Sequence, residues 1–228
     1  MPGLAVVTGP TRGIGRATAI ALARRGLDVV LLGRGADALA EVAAEVRALG
    51  VTASAVPCDV ARGDEVARAA TEVVGRLGAP RVLVNNAGIV RRGPRVHETP
   101  VDAWDEVLAV NLRGPFLVAR AFLPAMIAAG RGRIVHVGSI SSTIGCPGNA
   151  SYAASKWGLV GFARSLAEEL RGTGLCSVTV LPGSVDTDML VGSGFAPVLT
   201  PEEVAATIAY LALDAPDAVN GSAVELFG

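Results

Sequence analysis

Tyr152 and Lys156 give this sequence its clearest capacity for proton chemistry. Four residues apart in a helix, a phenol and an ammonium stand on one face, one turn from each other. A free tyrosine has a pKa of about 10, so only about one in a thousand is ionised at neutral pH. A neighbouring cation favours the phenolate and lowers that value by roughly 1–3 units, which brings the phenol into general acid/base work. Lysine suits the task better than arginine because its ammonium is compact and carries three movable donors. Of the 20 basic residues only Lys156 is a lysine, and Tyr210 is the only other tyrosine. Ser139 stands upstream, separated from the pair by a loop carrying Gly145, Pro147 and Gly148.

The elements that must position these groups follow from the apolar pattern. Leu4 to Thr8 reads as a strand, a Gly-rich turn follows, and Ile14 to Arg25 has helical spacing. Asp28 to Gly33, Val51 to Cys58, Val82 to Val84, Arg133 to Val137, Ser177 to Leu181 and Ala223 to Phe227 read as further strands. Between them lie helices at Ala36 to Leu49, Gly63 to Leu77, Asp102 to Leu112, Pro115 to Ala129, Ser151 to Leu170 and Pro201 to Leu213, the last capped by Thr200. This alternation predicts an α/β fold. It is one doubly wound Rossmann domain over residues 1–228, with about seven parallel strands and helices on both faces.

Composition sets the bounds. A chain of 228 residues, 51% apolar and 18% charged, can bury a large core, and a net charge of −1 gives no electrostatic case for nucleic acid or an anionic membrane. Cys58, Cys146 and Cys176 are odd in number and irregularly spaced, which fits a reducing cytoplasm, and with His97 and His136 they form no metal-binding pattern. Met1-Pro2-Gly3 leads into a strand-like run, so no signal peptide is expected. The mean hydropathy is positive, but the longest charge-free stretch, Ile134 to Ser155, is broken by Gly, Pro, Ser and Asn, and no membrane span is expected.

Thr8-Gly9-Pro10-Thr11-Arg12-Gly13-Ile14-Gly15 joins the first strand to the first helix. Its glycines permit a tight turn and let a ligand's phosphates approach the backbone at the positive end of the helix, which points to dinucleotide binding. Where an NAD site usually carries an acidic residue for the ribose, this chain has Gly33-Arg34, with Arg12 in the preceding loop. Two guanidiniums and no carboxylate suit a 2′-phosphate, so NADP(H) is favoured over NAD(H). Asp59, before Val60, is placed to accept a hydrogen bond from the adenine amine. Asn86, Ala87 and Gly88 end the fourth strand, where small residues let the cofactor lie close.

Taken together these residues resemble the short-chain dehydrogenase/reductase family, in its single-domain branch. The matches are Thr8-Gly9-x-x-x-Gly13-x-Gly15, Asp59-Val60, Asn86-Ala87-Gly88, Asn111, Ser139, Tyr152-x-x-x-Lys156 and Pro182-Gly183, in order and spacing. The resemblance implies a catalytic tetrad. Tyr152 would exchange a proton with the substrate oxygen as hydride passes to or from nicotinamide, and Ser139 would hydrogen-bond that oxygen. Lys156 would lower the Tyr152 pKa and hold the nicotinamide ribose, while Asn111 would anchor a water linking Lys156 to solvent. Thr187 would contact the carboxamide, with the backbone at Val185. Asn111 falls inside a helical pattern where its propensity is poor, so a kink is plausible there. The resemblance also implies a homodimer or homotetramer built partly on Ser151 to Leu170.

Two stretches depart from the family pattern. The substrate lid, about residues 188–200, is short, which suggests an open pocket or one completed by a partner. Glu225-Leu226-Phe227-Gly228 replaces the family's Asp-Gly-Gly ending, which weakens the carry-over of tetramer contacts. Ile140, Cys146, Met189 and Phe195 are candidate pocket walls, and Arg91, Arg92 and Arg95 are candidate receivers of an anionic substrate tail. The pattern is similar to 3-oxoacyl-carrier-protein reductases and implies reversible, NADPH-dependent reduction of a ketone. The alternatives are an NADP(H)-binding sensor or scaffold without turnover, and a lyase or epimerase on the same fold.

Overall fold

The computed structural model describes residues 3–228; Met1 and Pro2, on which the expectation of no signal peptide partly rested, lie outside them. Seven strands form one sheet: β1 (Leu4–Thr8), β2 (Asp28–Gly33), β3 (Ala53–Pro57), β4 (Val82–Asn85), β5 (Gly132–Val137), β6 (Leu175–Pro182) and β7 (Ala223–Leu226). All pair in parallel in the order β3-β2-β1-β4-β5-β6-β7. The strand order reverses at β1 and β4, and in such sheets a crevice opens there beyond the strands' carboxyl ends.

Alternation along the strands feeds two cores. Ala5 and Val7 face one side with Leu22 of α1 (Gly13–Arg24), Leu39 and Val42 of α2 (Ala36–Arg47) and Ile208 of α7 (Pro201–Leu213). Leu4 and Val6 face the other, against Val66 and Val73 of α3 (Gly63–Leu77) and Phe122 and Met126 of α5 (Gly114–Ala129). Leu166 of α6 (Ala150–Glu169) joins this second core. Each fully buried side chain of this size is worth about 1.5–3 kcal/mol. Thr200 caps α7 as expected: its hydroxyl accepts from Glu203 N–H while the Glu203 carboxylate accepts from Thr200 N–H at 2.7 Å.

Between α4 (Val101–Leu108) and α5 the helix does not break but widens into one π turn, Ala109–Arg113, centred on the fully buried Asn111. The kink expected at Asn111 is thus a π-bulge, a form common at functional sites. The continuous run Val101–Ala129 is, among the described residues, long and apolar enough to cross a bilayer by length and composition. One of its faces instead carries Val118, Phe122 and Met126 into the core.

Candidate active site

A cleft of about 1290 Å³ opens at the carboxyl ends of the strands, and nearly every residue singled out from the sequence lines it. Gly9, Thr11, Arg12, Gly13, Ile14, Gly15, Arg34, Asp59 and Val60 line one end. Asn86, Ala87 and Gly88 lie at the switch point, and Ser139, Tyr152, Lys156, Pro182, Gly183, Val185 and Thr187 line the other end. Asn111, Arg91 and Arg95 are the exceptions, and Asn111 stands behind the wall. A smaller depression at the strands' opposite ends, lined by Gly3, Asp28, Thr52 and Arg81, holds none of them.

The nucleotide end is built on close backbone approach. A Cβ on Gly15 would lie 2.2 Å from the Gly9 carbonyl oxygen and 2.4 Å from Asn86 Nδ2. Gly9 adopts φ +62°, and a Cβ there would lie 2.8 Å from Ala87 Cα, so neither position admits a side chain. Asn86 does more than its expected part as a small neighbour of the cofactor. Its amide donates to the Thr8 and Gly9 carbonyls, both at 2.9 Å, and the Thr8 hydroxyl accepts from the N–H groups of Asn86 and Ala87. These bonds bolt the glycine loop onto the end of β4. Asp59 Oδ1 accepts from Ala61 N–H at 3.0 Å, which leaves its second oxygen for a ligand.

Arg34 is exposed and makes no ion pair among the described residues. Arg12 does: its Nη1 reaches Asp188 Oδ2 at 2.6 Å across the cleft mouth. That pair is about three-quarters exposed on both sides, and such pairs are worth about 0–1 kcal/mol. A bound phosphate gains roughly 1.5–3 kcal/mol per charged hydrogen bond and can draw Arg12 away. The phosphate-width glycine cradle and two available guanidiniums therefore fit a phosphorylated dinucleotide.

At the other end, the loop after β5 makes a short 3₁₀ turn, Ile140–Ser142, capped by Ser139. The Ser139 hydroxyl oxygen accepts from Ser141 N–H at 3.1 Å, and its own proton faces the Tyr152 phenol. Ser142 ties this turn to the helix, and Ser155 bonds within the helix. Ser142 donates to the Lys156 carbonyl at 3.0 Å, and Ser155 to the Tyr152 carbonyl at 2.7 Å. Lys156 Nζ donates to the Val137 carbonyl at 2.7 Å and lies 5.6 Å from the Tyr152 ring centroid. Burial pushes the Lys156 amine down to about 8.

The expected acidification of Tyr152 by Lys156 is not what the structure shows. Burial raises the phenol's pKa; the Ser139 hydroxyl and the Arg92 charge pull the other way, and Lys156 is not among the causes. The physical reason is that the buried phenol loses water, which disfavours its charged form.

Asn111, fully buried, makes a closed set of bonds. Its Oδ1 accepts from Ile89 N–H at 2.8 Å, and its Nδ2 donates to the Ile89 carbonyl at 2.8 Å and to Ser155 Oγ at 3.1 Å. Gly88 lies between the Asn111 carboxamide and the Lys156 ammonium. Asn111 thus fixes the segment after β4 to α6.

His136, which had no expected role beyond its lack of a metal-binding spacing, lies wholly buried on β5 against Phe162 and 3.3 Å from Asn85 Nδ2. Burial first, and the Lys156 charge second, hold its pKa down to about 3. A histidine whose folded pKa lies below its unfolded value of about 6.5 binds fewer protons in the fold, so stability is present above pH 6.5 and lost as pH falls toward 3. The expected slope reaches about 1.4 kcal/mol per pH unit, read from denaturant midpoints against pH, and His136→Asn should flatten it. A slope equal in the variant would assign acid sensitivity to other groups.

The chain matches the family model of the short chain dehydrogenases over residues 3–194. It is 38% identical over 221 residues to a 3-oxoacyl-(acyl-carrier-protein) reductase from Synechocystis, covering 92% of this chain and 89% of the relative. A Staphylococcus aureus enzyme of the same name is 35% identical over 237 residues, covering 98% and 96%. Among solved structures, an actinorhodin polyketide ketoreductase variant with NADPH superposes with a TM-score of 0.94 at 34% identity, covering 100% of this chain and 96% of that one. A gluconate 5-dehydrogenase from Burkholderia cenocepacia, in complex with NADP and tartrate, gives 0.93 at 31% identity, covering 99% and 94%. With the site geometry above, these matches make the chain an oxidoreductase that belongs to the short-chain dehydrogenase family.

Proposed function

We propose that the protein is an NADP(H)-dependent carbonyl reductase in which Tyr152 is the proton donor. The observation that carries this reading is that Tyr152, Ser139 and Lys156 line one end of a cleft whose other end is a glycine cradle flanked by two arginines. The bound dinucleotide supplies the hydride. Ser139 donates its proton to the substrate oxygen, and Tyr152 transfers its own to that oxygen as negative charge builds there. Lys156 steadies the resulting phenolate and holds the nicotinamide ribose; Asn111 positions Lys156's surroundings through Ile89 and Ser155. Thr187, Val185 and the Pro182-Gly183 turn flank the nicotinamide, and Asp59 and Val60 the adenine.

Arg34, which makes no ion pair among the described residues, is assigned to the 2′-phosphate together with Arg12. Arg34→Ala should raise the Kd for NADPH about ten- to a hundredfold, the value of a charged hydrogen bond, while changing that for NADH little. Equal losses in a fluorescence titration would remove the specificity role. The relatives' names span acyl-carrier-protein-bound, polyketide and sugar-acid substrates, and a ketone is their shared chemistry. An intact proton-transfer set argues against a sensor without turnover.

Two further assignments follow. The depression of about 470 Å³ between Leu108, Leu112, Phe116 and Phe162 is almost wholly apolar in its exposed surface, and Phe116 and Trp157 stand about half exposed. This face of α4, α5 and α6 is assigned to pairing with a second copy. Cytoplasmic residence is assigned from the three free cysteines.

A further inference from the structure

Of the three arginines after β4, only one faces the cleft. Arg91 pairs with Glu106 through two bonds at 2.9 and 3.0 Å, and Arg95 lies off the cleft wall. Arg92 lines the cleft at its Tyr152 end and meets no carboxylate among the described residues. Its one contact is a long bond, 3.4 Å, to the Val191 carbonyl. The loop that carries it is held in place, since Gly93 N–H donates to the Gly148 carbonyl at 3.1 Å, just upstream of Tyr152.

The other side chains at this end are neutral or already committed. Lys156 donates to the Val137 carbonyl and is assigned to the phenol and the ribose, and Arg12 and Arg34 stand at the nucleotide end. Asn149, only 9% exposed, lines the same cleft with its Oδ1 unpartnered. A buried amide left this way costs about 1–3 kcal/mol unless a ligand's polar group meets it. Ile144, Met189 and Phe195 give the remaining side an apolar lining.

We propose that Arg92 is the specificity-determining residue of this cleft, and that the substrate is a short oxo acid carrying its carboxylate a few bonds from the reacting carbonyl. The proposal rests on the reading of Tyr152 as proton donor. A single guanidinium with a neutral amide beside it matches one carboxylate, whereas a phosphate dianion calls for more cations than this end supplies. A neutral 3-oxoacyl thioester offers the Arg92 guanidinium no carboxylate to pair with. The guanidinium is also near enough to Tyr152 for its charge to lower that phenol's pKa, which agrees with the placement.

The test compares 4-oxopentanoate with its methyl ester, and 2-oxobutanoate with its methyl ester, as substrates with NADPH. Wild type, Arg92→Gln and Arg92→Lys are assayed together. Wild type should favour the acid of at least one pair by about tenfold or more in kcat/KM. Arg92→Gln should lower that acid-to-ester ratio about ten- to a hundredfold, and Arg92→Lys should restore part of it. A wild-type ratio of one or less for both pairs, or a ratio unchanged in Arg92→Gln, overturns the proposal. Calorimetric binding of pentanoate, an unreactive carboxylate, to the protein with NADP separates the two readings. Pentanoate affinity at least tenfold weaker in Arg92→Gln, with no ketone reduced by any form, sinks the reductase reading and keeps the anion site. Pentanoate binding that is absent, or equal in wild type and Arg92→Gln, overturns the anion site.

Discussion

Tyr152→Phe is expected to lower kcat about 10²–10⁴-fold, the range that a positioned general acid contributes, while the Kd for NADPH changes little. The phenol is only 9% exposed, and the substitution removes one oxygen from a well-filled site, so the fold and the cradle at Gly9 and Gly15 should stand. The discriminating measurement is a single-turnover reaction at saturating NADPH. Retained turnover would move the proton-donor role to another group, and a parallel loss of NADPH affinity would mean that the phenol serves binding.

Lys156→Arg, which keeps the charge, should still cost at least about a hundredfold in kcat/KM. Lys156 is almost fully buried, and its ammonium reaches the Val137 carbonyl at 2.7 Å while standing 5.6 Å from the Tyr152 ring. A planar guanidinium is larger and presents its donors in a fixed fork, so it cannot serve the carbonyl, the phenol and a ribose from one point. The pH profile gives a second readout. With the amine at about 8, the wild-type kcat/KM should break on the alkaline side near that pH, because above it Lys156 is neutral. The residual activity of the arginine variant should lack this break. A variant of near-native rate with the same break would separate Lys156 from both roles.

The sheet was largely legible because buried parallel strands read as apolar runs whose ends are marked by Gly, Pro and polar residues. The bounds of β2, α3 and α7 are those expected, whereas β6 extends beyond the expected Ser177 to Leu181 to Leu175–Pro182. Its extra residues pair with Gly132 and Leu226, partners that only the assembled sheet defines. The π turn was not legible as such, since Ala109-Val-Asn-Leu-Arg113 has an ordinary helical pattern and the widening depends on what Asn111 meets across the fold.

In the site, residue types and spacing located the chemistry but not its electrostatics. Nothing in the sequence says that Tyr152 is dry, and its burial raises the phenol's pKa where a lowering was expected. The Arg12–Asp188 pair joins residues 176 apart. Arg92 differs from Arg91 and Arg95 only in which way the loop turns, so three neighbouring arginines looked alike until the cleft was in view.

The shortness of β4 has its own outcome for the amine. Its ladder with β5 stops at Asn85 and His136, because Thr8 hooks the following backbone onto the neighbouring strand. Gly138 N–H turns to β6, so by alternation the Val137 carbonyl points into the gap where β4 has run out. An oxygen that a longer strand would have claimed becomes the mooring for Lys156. Extending β4 by one rung would evict the lysine without touching it, so the reach of that strand is as much a condition of chemistry here as any side chain.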